Sequence, residues 1–140
     1  MDKPLISPRR ILILDDQAAC REAWQLVCEE LWPEACYVHA ATLAEALVHV
    51  DMDLVLTDLS LPESPPRQTV QALVAALPVT VPLVLLSGSV VSFEGYEFLR
   101  LGADAFFLKG RDITELTQIL YTTWVAHCGR RLRRAALASP

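Results

Sequence analysis

At 140 residues and 15.5 kDa the chain has the size of one domain, and 53% apolar against 21% charged residues exclude intrinsic disorder. A net charge of −5 and a pI near 5.1 argue against direct nucleic-acid binding by the domain. No apolar run approaches the ~20 residues of a bilayer span, and MDKPLISPRR lacks the apolar centre of a secretory signal, so a cytoplasmic location with no membrane partner is expected.

Residues 1–8 read as a flexible leader, 9–128 as the domain body, and 129–140, with the arginines of RRLRR, as a basic C-terminal tail or linker. RILIL (Arg10 to Leu14) is the first predicted strand, and apolar residues at helical spacing predict a helix from Gln17 to Leu31, closed by Pro33. ACYVH (Ala35 to His39) follows as a strand, and Thr42 can cap the helix LAEALVHV. Leu54 to Thr57 form the third strand. After the proline-rich LPESPP comes the helix RQTVQALVAAL. Pro82 to Ser87 read as the fourth strand, with the proline at its first position, where a missing N–H is tolerated. SFEGYEFLRLG is a helix ended by Gly102 as C-cap, DAFFL (Asp104 to Leu108) is the fifth strand, and a long last helix starts near Asp112.

Five strand–helix units in alternation imply right-handed crossovers and a parallel sheet covered on both faces. The strands are continuous apolar runs, as doubly covered strands should be. The expected fold is therefore α/β, a doubly wound five-stranded parallel sheet of order 2-1-3-4-5, flavodoxin-like (βα)5. Ligands of such sheets bind beyond the carboxyl ends of the strands, where the order reverses.

Polar residues collect at that edge. Asp15 and Asp16 follow the first strand, Asp58 the third, Ser87 ends the fourth and Lys109 follows the fifth. Three carboxylates held close repel one another unless a cation intervenes. An all-oxygen acidic cluster suits Mg²⁺, which prefers octahedral oxygen ligands and retains waters. Metal and Lys109 together would neutralise incoming phosphoryl charge and leave Asp58 to act as a carboxylate nucleophile.

DD after strand one, DLSLP after strand three, Ser-Gly after strand four and Lys after strand five together resemble the receiver domain of two-component response regulators, a chemotaxis-receiver-like module, over about residues 9 to 128. The resemblance implies that Asp58 accepts phosphate from a histidine kinase or phosphotransfer protein. It implies Mg²⁺ held by Asp16, Asp58 and the backbone carbonyl of Ser60, with Asp15 assisting directly or through water. Ser87 would hydrogen-bond the phosphoryl group, Lys109 would pair with it, and Phe106 takes the position of the switch aromatic. No enzymatic activity is implied beyond the domain's own phosphorylation and dephosphorylation. A downstream protein or a following effector domain would read the signal.

Two features depart from the family pattern. The lysine is usually followed by proline in a cis peptide, and here Gly110 follows. The loop after Asp58 usually carries a glycine turn, whereas this chain has PESPPRQ. Two rival readings stand beside it: a haloacid-dehalogenase-type phosphatase, which resembles D-x-D after strand one where this chain reads DDQ, and a pseudo-receiver acting as an interaction module only. Cys20, Cys28, Cys36 and Cys128 form no CxxC pair, and His39, His49 and His127 share no ligand spacing, so free thiols and ordinary histidines are expected. Arg130 to Arg134 read as a solvated helix end, favourable to the helix dipole. Gly95 weakens the fourth helix, which makes the face of fourth helix, fifth strand and fifth helix the expected partner surface and candidate homodimer surface.

Overall fold

The three central apolar runs become strands that bury both of their faces, while the two edge strands are only partly buried. In the computed structural model, residues 7–49, 51–88 and 92–138 are described, with backbone alone at 92–95 and 129–138. The elements alternate: β1 (Arg10–Leu14), α1 (Ala18–Leu31), β2 (Cys36–Ala40), α2 (Leu43–Leu47), β3 (Leu54–Asp58), α3 (Pro66–Ala76), β4 (Leu83–Ser87), α4 (Ser92–Leu101), β5 (Ala105–Leu108) and α5 (Ile113–Ala138). All neighbouring strands pair in parallel, in the order β2-β1-β3-β4-β5.

Alternate strand residues feed two cores, as the two-residue period requires. Leu12, Leu14, Val55 and Leu85 pack on the side that holds Ala46 of α2, Val70 and Leu73 of α3 and Phe98 of α4. Ile11, Ile13, Leu54, Leu56, Val84 and Leu86 pack on the opposite side against Trp24 and Cys28 of α1 and Leu116, Leu120 and Trp124 of α5. Trp32 and Trp124 meet edge-on there, with ring centroids 6.3 Å apart.

Local chemistry sets the element ends. Thr42 caps α2 by accepting the Glu45 N–H at 3.1 Å, while Glu45 reaches back to the Ala41 N–H at 2.8 Å. This helix stops at Leu47, short of the predicted Val50, because the chain must turn back to bury Met52 and enter β3. β2 runs one residue later than expected, since the parallel register sets Arg10 against Cys36 and Leu14 against Ala40. α4 ends in a Schellman motif: the Gly102 N–H bonds Leu99 O at 3.1 Å and the Ala103 N–H bonds Phe98 O at 3.2 Å. Gly102 has φ +127°, and a Cβ there would lie 2.8 Å from Val74 Cγ1, so both conformation and space require glycine.

At the N-terminus, Pro8 is buried and the Arg9 N–H is tied to Asp53, while residues 1–6 of the leader lie outside the described residues. The backbone of α5 continues as helix through Ala138, past residue 128. The RRLRR side chains lie outside the described residues. Among the described residues no helix is long and apolar enough to cross a membrane.

Candidate functional site

β1 and β3 are central neighbours, so the residues leaving their carboxyl ends must meet. Asp15 and Asp16 follow Leu14, and Asp58 is the last residue of β3. One carboxylate oxygen from each of the three lies within 4.8 Å of the others, close enough to share one cation. Asp15 and Asp58 are buried, and Asp16 is more open to solvent.

The two buried carboxylates are held differently. Asp15 Oδ1 accepts the Gln17 N–H at 3.0 Å and its Oδ2 accepts the Trp24 indole N–H at 3.1 Å. Arg21 Nη1 donates to the Asp15 carbonyl at 2.7 Å. Asp58 Oδ1 lies 2.7 Å from Lys109 Nζ, an ion pair by distance, but it receives no well-directed hydrogen bond. The Lys109 ammonium offsets part of the cost of burying that charge.

β4 and β5 supply the other side of the pocket. Ser87 is buried at the end of β4, and its carbonyl accepts the Lys109 N–H at 2.7 Å, which fixes where the lysine leaves β5. The Lys109–Gly110 peptide is trans, since the described residues contain no cis bond. Gly110 takes φ +92°, a conformation closed to proline and disfavoured for other residues, and Lys109 reaches Asp58 without the family's proline. Lys109 Nζ also stands 5.9 Å from the centroid of the Trp24 ring, within cation–π range.

The proline-rich loop leaves β3 beside this pocket. Leu59 and Leu61 are buried, while Ser60 is exposed and its carbonyl makes no contact with the carboxylates among the bonds described. Glu63 Oε2 accepts the Leu43 N–H at 3.0 Å, tying the loop to the start of α2. Ser64 and Thr69 hydroxyls bond at 2.7 Å, and Pro66 opens α3 at a position that needs no N–H. The loop is thus braced at both ends.

Phe106 and Phe107 diverge as their alternation requires. Phe107 is buried against α1 and α5, whereas Phe106 is half-buried and packs on the opposite core. Tyr96 of α4 and Tyr121 and Ile113 of α5 are exposed. Residues 89–91, between β4 and α4, lie outside the described residues.

The cysteines and histidines stand apart from the pocket chemistry. None of the four cysteines is in a disulfide, and burial with the nearby Glu29 pushes the Cys28 thiol up to about 12, which makes it inert. His39 bonds Gln25 at 2.7 Å, and burial and Arg21 lower its pKa against an opposing pull from Glu22. His127 is buried between the Asp104 carboxylate and Thr80 O. Trp24 is the pocket residue that sequence reasoning missed. Its helical spacing accounts for it fully as a core residue, and nothing in the spacing tells where the indole N–H points.

No curated protein shows a significant sequence match to the chain. Solved receiver structures share its fold at low identity. A receiver domain protein (CheY-like) from Methanospirillum hungatei JF-1 is 22% identical with TM-score 0.74, over 86% of this chain and 97% of that one. A LuxR-family two-component response regulator from Aurantimonas sp. SI85-9A1 is 22% identical with TM-score 0.75, over 86% and 87%. The signal receiver domain of a DNA binding response regulator from Colwellia psychrerythraea 34H is 21% identical with TM-score 0.70, over 81% and 96%. The family profile of the response regulator receiver domain matches residues 11–121, most of the chain and every strand-end residue of the pocket. By that match, the chain belongs to the response regulator receiver domain family, a family of two-component signalling domains.

Proposed function

We propose that this domain is a phosphorylation-dependent receiver in the cytoplasm, with Asp58 as phosphoacceptor. The observation that carries the reading is Asp58 itself: a buried carboxylate, 2.7 Å from Lys109 Nζ, with Oδ1 lacking a well-directed hydrogen bond beside two further aspartates. Such an oxygen keeps a lone pair for attack. Asp58 would take the phosphoryl group from a phosphohistidine of a histidine kinase or phosphotransfer protein. The O–P bond forms as the P–N bond breaks, and the freed imidazole recovers a proton from solvent.

The three-carboxylate cluster fits a hard divalent cation, and Asp16, Asp58 and the Ser60 carbonyl would hold Mg²⁺ with help from Asp15. Bound there, Mg²⁺ would neutralise phosphoryl charge. Lys109 would pair with the incoming phosphoryl group, and Ser87 would donate its hydroxyl to it. Phe106, half-buried on the α4 side, would follow Ser87 inward and alter the surface of α4, β5 and α5. A downstream protein, an effector domain or a second copy of the chain would read that change.

Acetyl phosphate labelling in Mg²⁺ tests this. One phosphate per chain, lost in Asp58→Asn, supports the receiver. A folded wild type that takes no label and binds no Mg²⁺ overturns it in favour of an interaction module that is never phosphorylated.

A further inference from the structure

We infer that Trp24 is a positioning residue of the acidic pocket and sets its cation preference. Given the receiver reading proposed above, the pocket must choose among divalent cations that differ in how many protein oxygens they accept. Ca²⁺ takes six to eight oxygens in flexible geometry, while Mg²⁺ demands six and keeps waters among them. The number of carboxylates free to ligate therefore decides between them.

Asp15 is the carboxylate in question, and both of its oxygens are already engaged. Oδ1 is held by the Gln17 backbone at 3.0 Å and Oδ2 by the Trp24 indole at 3.1 Å. The Gln17 bond is local, two residues along the chain. The Trp24 bond alone reaches across to α1, and Trp24 is wedged in the core with Ile11, Ile13 and Leu56, so its N–H cannot follow a wandering carboxylate. An indole N–H donates only, and its sole carboxylate partner here is Asp15. Asp15 is thereby restrained to serve a metal-bound water and is withheld from direct ligation.

The same ring limits Lys109. Its centroid lies 5.9 Å from the ammonium that pairs with Asp58 at 2.7 Å. One rigid side chain thus bonds Asp15, just after β1, and stands within cation–π range of Lys109, just after β5.

Calorimetric titration of Mg²⁺ and Ca²⁺ into wild type, Trp24→Phe, Asp15→Asn and the double variant tests the assignment. Phenylalanine keeps an aromatic face and removes the N–H. Trp24→Phe should move the Ca²⁺ to Mg²⁺ affinity ratio toward Ca²⁺ by about tenfold, the effect of one more charged ligand. The shift should vanish when Asp15→Asn is added. An unchanged ratio, or a shift that survives Asp15→Asn, overturns the role of Trp24 while wild-type Mg²⁺ binding leaves the receiver reading standing. A wild type that binds no Mg²⁺ overturns both. If Trp24→Phe does not fold, the wild-type indole proton of Trp24 decides by NMR. Its exchange with solvent should stay slow at saturating Mg²⁺, and faster exchange on binding overturns the assignment.

Discussion

Aspartates stand at both edges of this sheet, and they are used in opposite ways. At the amino edge, Asp53 Oδ2 accepts the Arg9 and Arg10 N–H groups at 2.8 and 3.1 Å. Asp104 Oδ2 accepts the Leu83 N–H at 2.8 Å, and its Oδ1 meets His127 Nε2 at 2.8 Å. His127 in turn faces Thr80 O at 3.2 Å, so the ring bridges Asp104 and Thr80 and ties α5 to the amino edge of the sheet. Those carboxylates finish the structure. At the carboxyl edge, Asp15, Asp16 and Asp58 crowd together, and one buried oxygen of Asp58 is left without a directed bond. Position at a strand end therefore says little by itself. What sets Asp58 apart is a buried oxygen that meets the Lys109 ammonium and accepts no backbone N–H.

The sharpest break of that comparison is Asp58→Asn. All phosphate labelling should be lost, since the amide is no nucleophile. Metal-free stability should hold or rise by up to about 1 kcal/mol, because relief from Asp15 and Asp16 offsets the lost Lys109 pair. Urea unfolding without metal measures it, and a clear fall would show that Asp58 is as structural as Asp104.

Asp104→Asn is the matching change at the other edge. It should cost about 1–3 kcal/mol, because an uncharged amide replaces the carboxylate that serves both the Leu83 N–H and His127 in a part-buried site. Mg²⁺ binding should be unaffected. A variant that unfolds normally in urea but loses Mg²⁺ binding would reverse the assignment of the two edges.

Gly102→Ala probes the same amino edge through the backbone. The added methyl meets Val74 Cγ1 at 2.8 Å and must adopt φ +127°. The expected loss is about 1–3 kcal/mol, read as a lower melting temperature. Valine can turn aside in part, so Gly102→Ala with Val74→Ala should recover some of it if contact is the larger cause.

Most of the fold was legible because each strand is a short apolar run with a polar residue at its end. Doubly covered parallel strands require that pattern, and it alone places Asp58 and Lys109 on one edge. The Lys109–Asp58 approach was harder to foresee without the family's proline, because the chain leaves Lys109 through a trans peptide into Gly110 at φ +92°. Trp24 and the His127–Asp104 pair were not legible. Both are contacts between distant segments whose apolar spacing already has a full explanation, and a hydrogen bond across the core leaves no mark on periodicity. The shortened α2 was missed for a related reason: Val48 and His49 suit a helix locally, but the return to β3 overrides propensity.

The smallest expected effect lies in α4, which links the two edges by starting beyond β4 and ending at Gly102. Gly95 is interior to this helix, where glycine costs up to about 1 kcal/mol against alanine. Gly95→Ala should therefore stabilise by at most that amount, opposite in sign to Gly102→Ala within one helix. If the carboxyl edge is the responsive one, the consequence should appear in signalling more than in stability. Phosphoryl contact at Ser87 and the packing of Phe106 would bias α4 between two arrangements, and a stiffer helix shifts that balance. Labelling of Asp58 should be unchanged while partner binding or dimerisation that depends on phosphate is altered. Hydrogen exchange with and without beryllofluoride, a phosphoryl mimic, gives the direct reading. Protection changes should extend from the Asp58 loop into residues 96–108 and be smaller in Gly95→Ala, while His127 stays quiet. Changes confined to the Asp58 loop in both proteins would mean that α4 carries nothing between the edges.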